Sequence, residues 1–94
     1  MITRIVKISI KQQNQNDFKN YINEVRPIMA DFKGCEHIEI LKDKSNSNTF
    51  SIYSIWKNEK LLEHFRSSEM SGEFNRTIEK WLEKQIQAWT VENV

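Results

Sequence analysis

Three segments of the chain alternate hydrophobic and polar residues in the way that is typical of β-strands. In residues 2–10, isoleucines and a valine share one face with Arg4, and the other face is more polar. Residues 35–42 and 49–56 repeat the two-residue period, which results when one face of a pleated strand is buried. The polar residues 43–48 between these two segments predict a turn, and therefore an antiparallel hairpin.

Two further segments place hydrophobic residues three and four positions apart, which predicts amphipathic helices. The first covers residues 18–32; Pro27 within it should kink the helix or split it in two, and Gly34 should end it. The second begins after Asn58, a residue suited to capping a helix, and a further helical pattern extends over residues 70–82.

The last segment, residues 85–94, fits either a helix or a strand, and its periodicity does not decide between them. With a final strand, the element order is βαββαβ. This is the ferredoxin-like arrangement of the α+β class, in which an antiparallel sheet carries both helices on one face. We expect residues 1–94 to form one such domain. Because the fold leaves the other sheet face bare, we also expect a homodimer that forms through this face.

The composition limits the possible partners. Fourteen Lys and Arg residues balance thirteen Asp and Glu residues, and a net charge of +1 gives no field that would select a nucleic acid or an anionic membrane. No apolar run is long enough for a membrane span. Cys35 is the only cysteine, which excludes an internal disulfide, and no Cys/His cluster suits a metal. These features predict a small cytoplasmic domain.

Three stretches together resemble the antibiotic biosynthesis monooxygenase family, whose members are dimeric α+β barrel proteins. The first is Gly34-Cys35, which closes the first helix and opens the second strand. The second is the strand 50–56, which ends in a tryptophan. The third is the run 56–65, in which that tryptophan is followed by a polar cap, a helix and a histidine. The resemblance spans nearly the whole chain and favours a strand over residues 85–91.

The resemblance implies cofactor-independent oxygenation of small, electron-rich aromatic rings such as quinols and phenols, in which the deprotonated substrate itself activates O2. Such a protein requires no metal and no other cofactor. It must accept a proton near neutral pH, stabilise the anion that forms, and hold the ring in a dry, mostly apolar pocket.

His64 is the candidate for proton transfer, because histidine titrates near neutral pH and this residue follows the apolar stripe of the second helix. Trp56 ends the third strand, where its indole could wall a pocket and stack on an aromatic ligand. The residues expected to shape the cavity between sheet and helices are Trp56, Phe50, Ile52, Phe65 and Phe74. Arg66 and Arg76 could bind an anionic group of the substrate, although a solvated helix face is the commoner position for such residues.

Two other functions are open. The same fold could serve as a non-catalytic module for ligand binding or dimerisation, since no carboxylate is clearly placed to orient His64. Haem-degrading relatives use an asparagine on the first strand, the tryptophan of the third strand and a histidine on the later helix. Only the tryptophan has a counterpart here, at Trp56; the histidine position falls at Asn75 and the asparagine position near Val6. Without an axial histidine, haem ligation is disfavoured.

Overall fold

Four β-strands and three α-helices account for most of the chain, and the computed structural model describes all of its 94 residues. In chain order, the elements are β1 (Ile2–Ser9), α1 (Gln15–Ala30), β2 (Cys35–Lys42), β3 (Thr49–Trp56), α2 (Glu59–Arg66), α3 (Glu69–Glu79) and β4 (Gln87–Val91). The sheet is antiparallel throughout, with the strand order β2-β3-β1-β4. This topology confirms the predicted ferredoxin-like α+β fold and its final strand. None of the helices combines the length and the hydropathy that a membrane crossing requires.

The core lies between one face of the sheet and the helices. In the centre of the sheet, Val6 lies opposite Ile52 and Ile8 lies opposite Phe50, so that apolar residues of β1 and β3 meet. The ten buried residues of the core cluster are Ile8, Ile10, Phe18, Ile22, Val25, Met29, Phe50, Ile52, Phe74 and Ile78. Full burial of one such side chain contributes roughly 1.5–3 kcal/mol, which makes this cluster the main source of stability.

The opposite face of the sheet is not covered by the helices and is partly apolar. Ile5 of β1 lies between Tyr53 of β3 and Trp89 of β4 on this face. Leu41, Trp89 and Val91, which share the same face, are each 45% exposed. Exposed apolar side chains grouped on one face of a sheet are typical of a surface that binds another protein. We refer to these five residues together with Ile55 as the open sheet face.

Helix α1 continues through Pro27 as one helix, so the expected split does not occur. Pro27 lies in the last turn, where its missing amide removes a single backbone hydrogen bond. Its own carbonyl still accepts a hydrogen bond from the amide of Asp31 at 3.2 Å. Val25 and Met29 on either side of it remain buried. The packing of this face therefore outweighs the lost hydrogen bond.

Helix α3 ends at Glu79, three residues before the end of the helical pattern. Backbone hydrogen bonds to distant residues explain the early stop. The carbonyl of Trp81 accepts from the amide of Lys11 at 2.8 Å, and the amide of Glu83 donates to the carbonyl of Ser9 at 2.8 Å. Because these groups are satisfied outside a helix, the chain turns back toward the sheet and can add β4 at its edge.

Gly34 forms the tight connection between α1 and β2. It is the only residue with a positive φ, at +92°, which is a backbone conformation that favours glycine. A Cβ atom added here would lie 2.5 Å from Cβ and 2.8 Å from Cδ1 of Leu61 in α2. The carbonyl of Gly34 also accepts a hydrogen bond from the amide of Lys57 at 2.8 Å. This turn therefore places the start of α2 against the end of α1.

Gly34→Ala should destabilise the protein strongly, because it adds backbone strain and a clash with Leu61. We expect a loss of about 2–5 kcal/mol in the free energy of unfolding, measured by urea denaturation. Gly72→Ala is the matched control. Gly72 lies within α3, where an added Cβ meets only the flexible end of Arg76 at 3.3 Å. It should be neutral or stabilising by up to about 1 kcal/mol. Equal losses in the two variants would contradict this account.

Candidate functional site

A cavity of about 420 Å³ lies between the helix-covered face of the sheet and helices α2 and α3. Ten of its 17 lining residues are hydrophobic. Its size and its mostly apolar wall suit a small ligand, and a few polar groups in such a wall would fix the orientation of that ligand.

An aromatic pair forms the apolar wall of the cavity. Trp56, at the end of β3, is 1% exposed and packs on Phe65 of α2 with 5.0 Å between ring centroids. The indole Nε1 of Trp56 donates a hydrogen bond to Oγ of Ser54 at 3.0 Å. Phe65 is supported from behind by the edge of Phe32, 4.9 Å away between centroids. The wall is thus held by packing and by a satisfied indole N–H, which makes it rigid.

Charged side chains line another part of the same cavity. Nη1 of Arg4 on β1 donates to Oγ1 of Thr90 at 2.8 Å, and Nη1 of Arg66 on α2 donates to Oε2 of Glu63 at 3.0 Å. Burial lowers the pKa of the Arg4 guanidinium, and the positive charge of Arg66 lowers it further, while Glu63 raises it. Neutral polar groups from Ser67, Ser71 and Asn75 complete the polar lining.

The structure brings together most of the residues that were expected to shape the cavity. Trp56, Ile52, Phe65 and Phe74 all line it. Phe50 does not, because it lies at the opposite end of β3, where it packs in the core against Phe18 with 4.8 Å between centroids. Phe50 is therefore a core residue and not, as expected, a residue that shapes the substrate cavity.

His64 lies outside the cavity. The inward residues of α2 are Leu62 and Phe65, three positions apart, and both line the cavity. His64 is not among the lining residues, and its side chain is exposed. The geometry does not place its imidazole beside a bound ligand, so its role in proton transfer stays a prediction.

The observed positions of the arginines differ from those predicted from the sequence. Arg66 lines the cavity, whereas Arg76 does not. Arg4 also lines it, a position that was not predicted. One signal in the sequence could have identified Arg4: it is the single charged residue on the aliphatic face of β1. A charge in that row must either be paired or face a cavity.

The remaining reactive side chains lie on β2, away from the cavity lining. Nε2 of His37 is 2.7 Å from Oε1 of Glu39. Burial raises the pKa of the Cys35 thiol, while a hydrogen bond to the backbone of His37 opposes this shift. The thiol is therefore protonated near neutral pH and a weak nucleophile. Nowhere in the structure do three or more His, Cys, Asp or Glu side chains gather so that they could hold a metal ion.

Comparison with known proteins gives a consistent family match. Residues 1–77 match the family model described as antibiotic biosynthesis monooxygenase. No curated protein matches the sequence.

Several solved structures share the fold over the whole chain. An antibiotic biosynthesis monooxygenase superposes with a TM-score of 0.92 at 14% identity, over 100% of this chain and 99% of its own. A conserved protein from Methanosarcina mazei Go1 gives 0.92 at 18% identity, over 100% and 94%. A Nitrosomonas europaea protein proposed to be an antibiotic biosynthesis monooxygenase gives 0.91 at 17% identity, over 100% and 99%. At these identities, the structural likeness establishes the fold alone.

Ser54→Ala should destabilise the cavity wall, because it leaves the buried indole N–H of Trp56 without its acceptor. We expect a loss of about 1–3 kcal/mol in the free energy of unfolding, followed by urea denaturation. Ser51→Ala on the other face of the same strand is the control and should stay within about 0.5 kcal/mol of the parent. A loss at Ser51 as large as that at Ser54 would show that the indole hydrogen bond is not the cause.

Proposed function

Because the chain belongs to the antibiotic biosynthesis monooxygenase family, we propose that it is a cofactor-independent monooxygenase acting on small quinol- or phenol-type aromatic substrates. The observation that carries the proposal is the cavity of about 420 Å³ with its wall of Trp56 and Phe65. The mostly apolar wall suits a planar aromatic ring.

The reaction needs no external reductant. One oxygen atom of O2 enters a ring C–H position and becomes a carbonyl oxygen; this position is para to the hydroxyl in a phenol and ortho to one hydroxyl in a hydroquinone, whose para position is occupied. The other leaves as water, whose two hydrogens come from that C–H and from the phenolic O–H. The phenolate supplies the electrons, so the protein has to accept the phenolic proton and stabilise the charge that develops.

Glu63 is the lining residue best suited to accept that proton. Its carboxylate reaches the cavity edge on α2 and is held by Arg66 at 3.0 Å. Its side chain is 62% exposed, so a proton taken from the substrate can pass on to water. The sequence pointed instead to His64, the next residue along α2, which does not line the cavity.

Glu63→Gln should lower kcat/KM by about 100-fold or more, since it removes the proton acceptor while keeping the size of the side chain. O2 consumption is measured with a panel of hydroquinones, hydroxynaphthalenes and hydroxynaphthoic acids, against the rate without protein. Glu73→Gln, on an exposed position of α3 outside the cavity lining, is the matched control. A loss in His64→Ala, with Glu63→Gln fully active, would assign the proton transfer to His64 instead. If the parent protein consumes no O2 across the panel, the enzymatic proposal fails.

A non-catalytic ligand-binding module is the second candidate. It is favoured by one observation: neither histidine of the chain lines the cavity. In this case, aromatic probes bind in the cavity without any O2 consumption. The same observation removes support from haem degradation, because the cavity offers no axial histidine and Asn75 occupies the expected position.

We also propose that the protein is a homodimer that forms through the open sheet face. Members of the family are typically dimeric, and three exposed apolar side chains of this face, on β2 and β4, need a partner. A second copy would cover them with an identical surface, as in a two-fold symmetric interface. We extend the domain to all of residues 1–94, because β4 lies beyond the matched residues 1–77 and pairs with β1.

Light scattering should give a mass twice the 11.3 kDa of the chain. Trp89→Glu should shift the protein to the monomer, because it places a charge within a buried apolar interface. Ile28→Glu is the control: Ile28 is 52% exposed on α1, away from the open sheet face. A monomeric parent protein, or a dimer that Ile28→Glu disrupts and Trp89→Glu leaves intact, would contradict the proposed interface.

The single cysteine and the net charge bear on the location and the partner of the protein. A half-buried, unpaired thiol such as that of Cys35 stays reduced in the cytoplasm, which we propose as its location. A net charge of +1 favours a small aromatic ligand over a nucleic acid as its partner.

A further inference from the structure

Two arginines line the cavity from different sides. Arg4 belongs to the helix-facing row of β1, where it lies between Ser54 of β3 and Thr90 of β4. Arg66 lies in the last turn of α2. Both side chains are part of the cavity lining. An arginine in the inward row of the central strand costs stability compared with an aliphatic residue, so its position calls for a function beyond packing.

The positive charge of this arginine pair is only partly balanced inside the protein. Glu63 accepts a hydrogen bond from Arg66 at 3.0 Å, whereas Arg4 donates only to the neutral hydroxyl of Thr90 at 2.8 Å. The charged lining residues are these two arginines and Glu63, which leaves one net positive charge in the cavity wall. The pKa of Arg4 is lowered by burial and then by Arg66, and Glu63 opposes this shift, which agrees with a guanidinium whose charge is only partly balanced.

The free donors of the pair suit a particular anionic group. A guanidinium has five N–H donors in one plane, and Arg4 uses its side chain for a single hydrogen bond. A carboxylate matches such a fork with its two oxygens and carries one negative charge. It would therefore neutralise the one net positive charge of the lining, whereas a phosphate monoester would bring a second negative charge that nothing in the cavity balances.

We propose that Arg4 and Arg66 bind a carboxylate of the aromatic ligand, so that the substrates of this protein are hydroxylated aromatic acids rather than neutral quinols or phenols. The ring would lie against Trp56 and Phe65, with its carboxylate between the two guanidiniums. This inference rests on the proposed function in one respect only: it takes the cavity as the substrate site.

Binding of two redox-inert probes tests the inference separately from turnover. 2-Naphthoate and 2-naphthamide have nearly the same shape, and only the first is charged. By isothermal titration calorimetry, naphthoate should bind about tenfold to a hundredfold more tightly than naphthamide, as expected for hydrogen bonds to a charged group. Arg4→Met and Arg66→Met should each remove most of this preference. Arg26→Met, which removes a positive charge from an exposed position of α1, should retain the preference.

Each outcome decides for or against the carboxylate site. Equal binding of the two probes, no detectable naphthoate binding at about millimolar concentration, or a preference that survives both cavity substitutions would overturn it. If Arg4→Met fails to fold, Arg4→Lys and Arg66→Met carry the test, since Arg66 lies on the surface turn of α2 and its removal should be tolerated. A naphthoate preference without O2 consumption on any hydroxynaphthoate would support the carboxylate site and contradict the proposed reaction. O2 consumption on neutral quinols without a preference for naphthoate would support the proposed reaction and contradict the carboxylate site.

Discussion

The structure depends on the inward row of β1, the strand that pairs with both β3 and β4. At one end of this row, Ile8 and Ile10 are fully buried and form the centre of the core. Toward the other end, Arg4 stands where the pattern of the row would place an aliphatic residue, and it lines the cavity. A guanidinium cannot be covered by apolar side chains without a large desolvation cost. The helices therefore close over the isoleucines and stay apart from the sheet near Arg4, and one strand determines both the core and the site.

Much of the fold could be predicted because local signals and tertiary packing agree. The side-chain oxygen of Asn58 accepts a hydrogen bond from the amide of Leu61 at 2.9 Å. The position of Asn58 before α2 predicts this helix cap. Where the expectation failed, distant contacts decided the outcome. The buried face of α1 carries the helix through Pro27, and backbone bonds to β1 and its C-terminal flank end α3 before its apolar pattern ends. Those partners are distant in the sequence, so a local stretch of residues does not reveal them.

The candidate site was predictable to the extent that strand parity and helix phase determine it. Trp56 lines the cavity because its parity on β3 is that of Ile52, and Phe65 does so because it follows Leu62 by three positions. His64 is exposed and does not line the cavity, a result that chemical suitability alone could not reveal. Phe50 has the parity of Trp56 but lies near the closed end of the sheet. Parity gives the face that a residue occupies, whereas its distance along the strand determines whether it reaches the cavity.

The cavity and the open sheet face are two sides of the same edge strand. β4 pairs only with β1, and all five of its residues are exposed in the single chain. On one side, its Thr90 holds the guanidinium of Arg4 at 2.8 Å; on the other, Trp89 and Val91 belong to the open sheet face. In the proposed dimer, burial of those two side chains would restrain an otherwise weakly held strand. The position of Arg4 in the cavity would then depend on the partner subunit, because β4 alone would transmit the restraint from the interface to Arg4. No residue of the partner would need to enter the site.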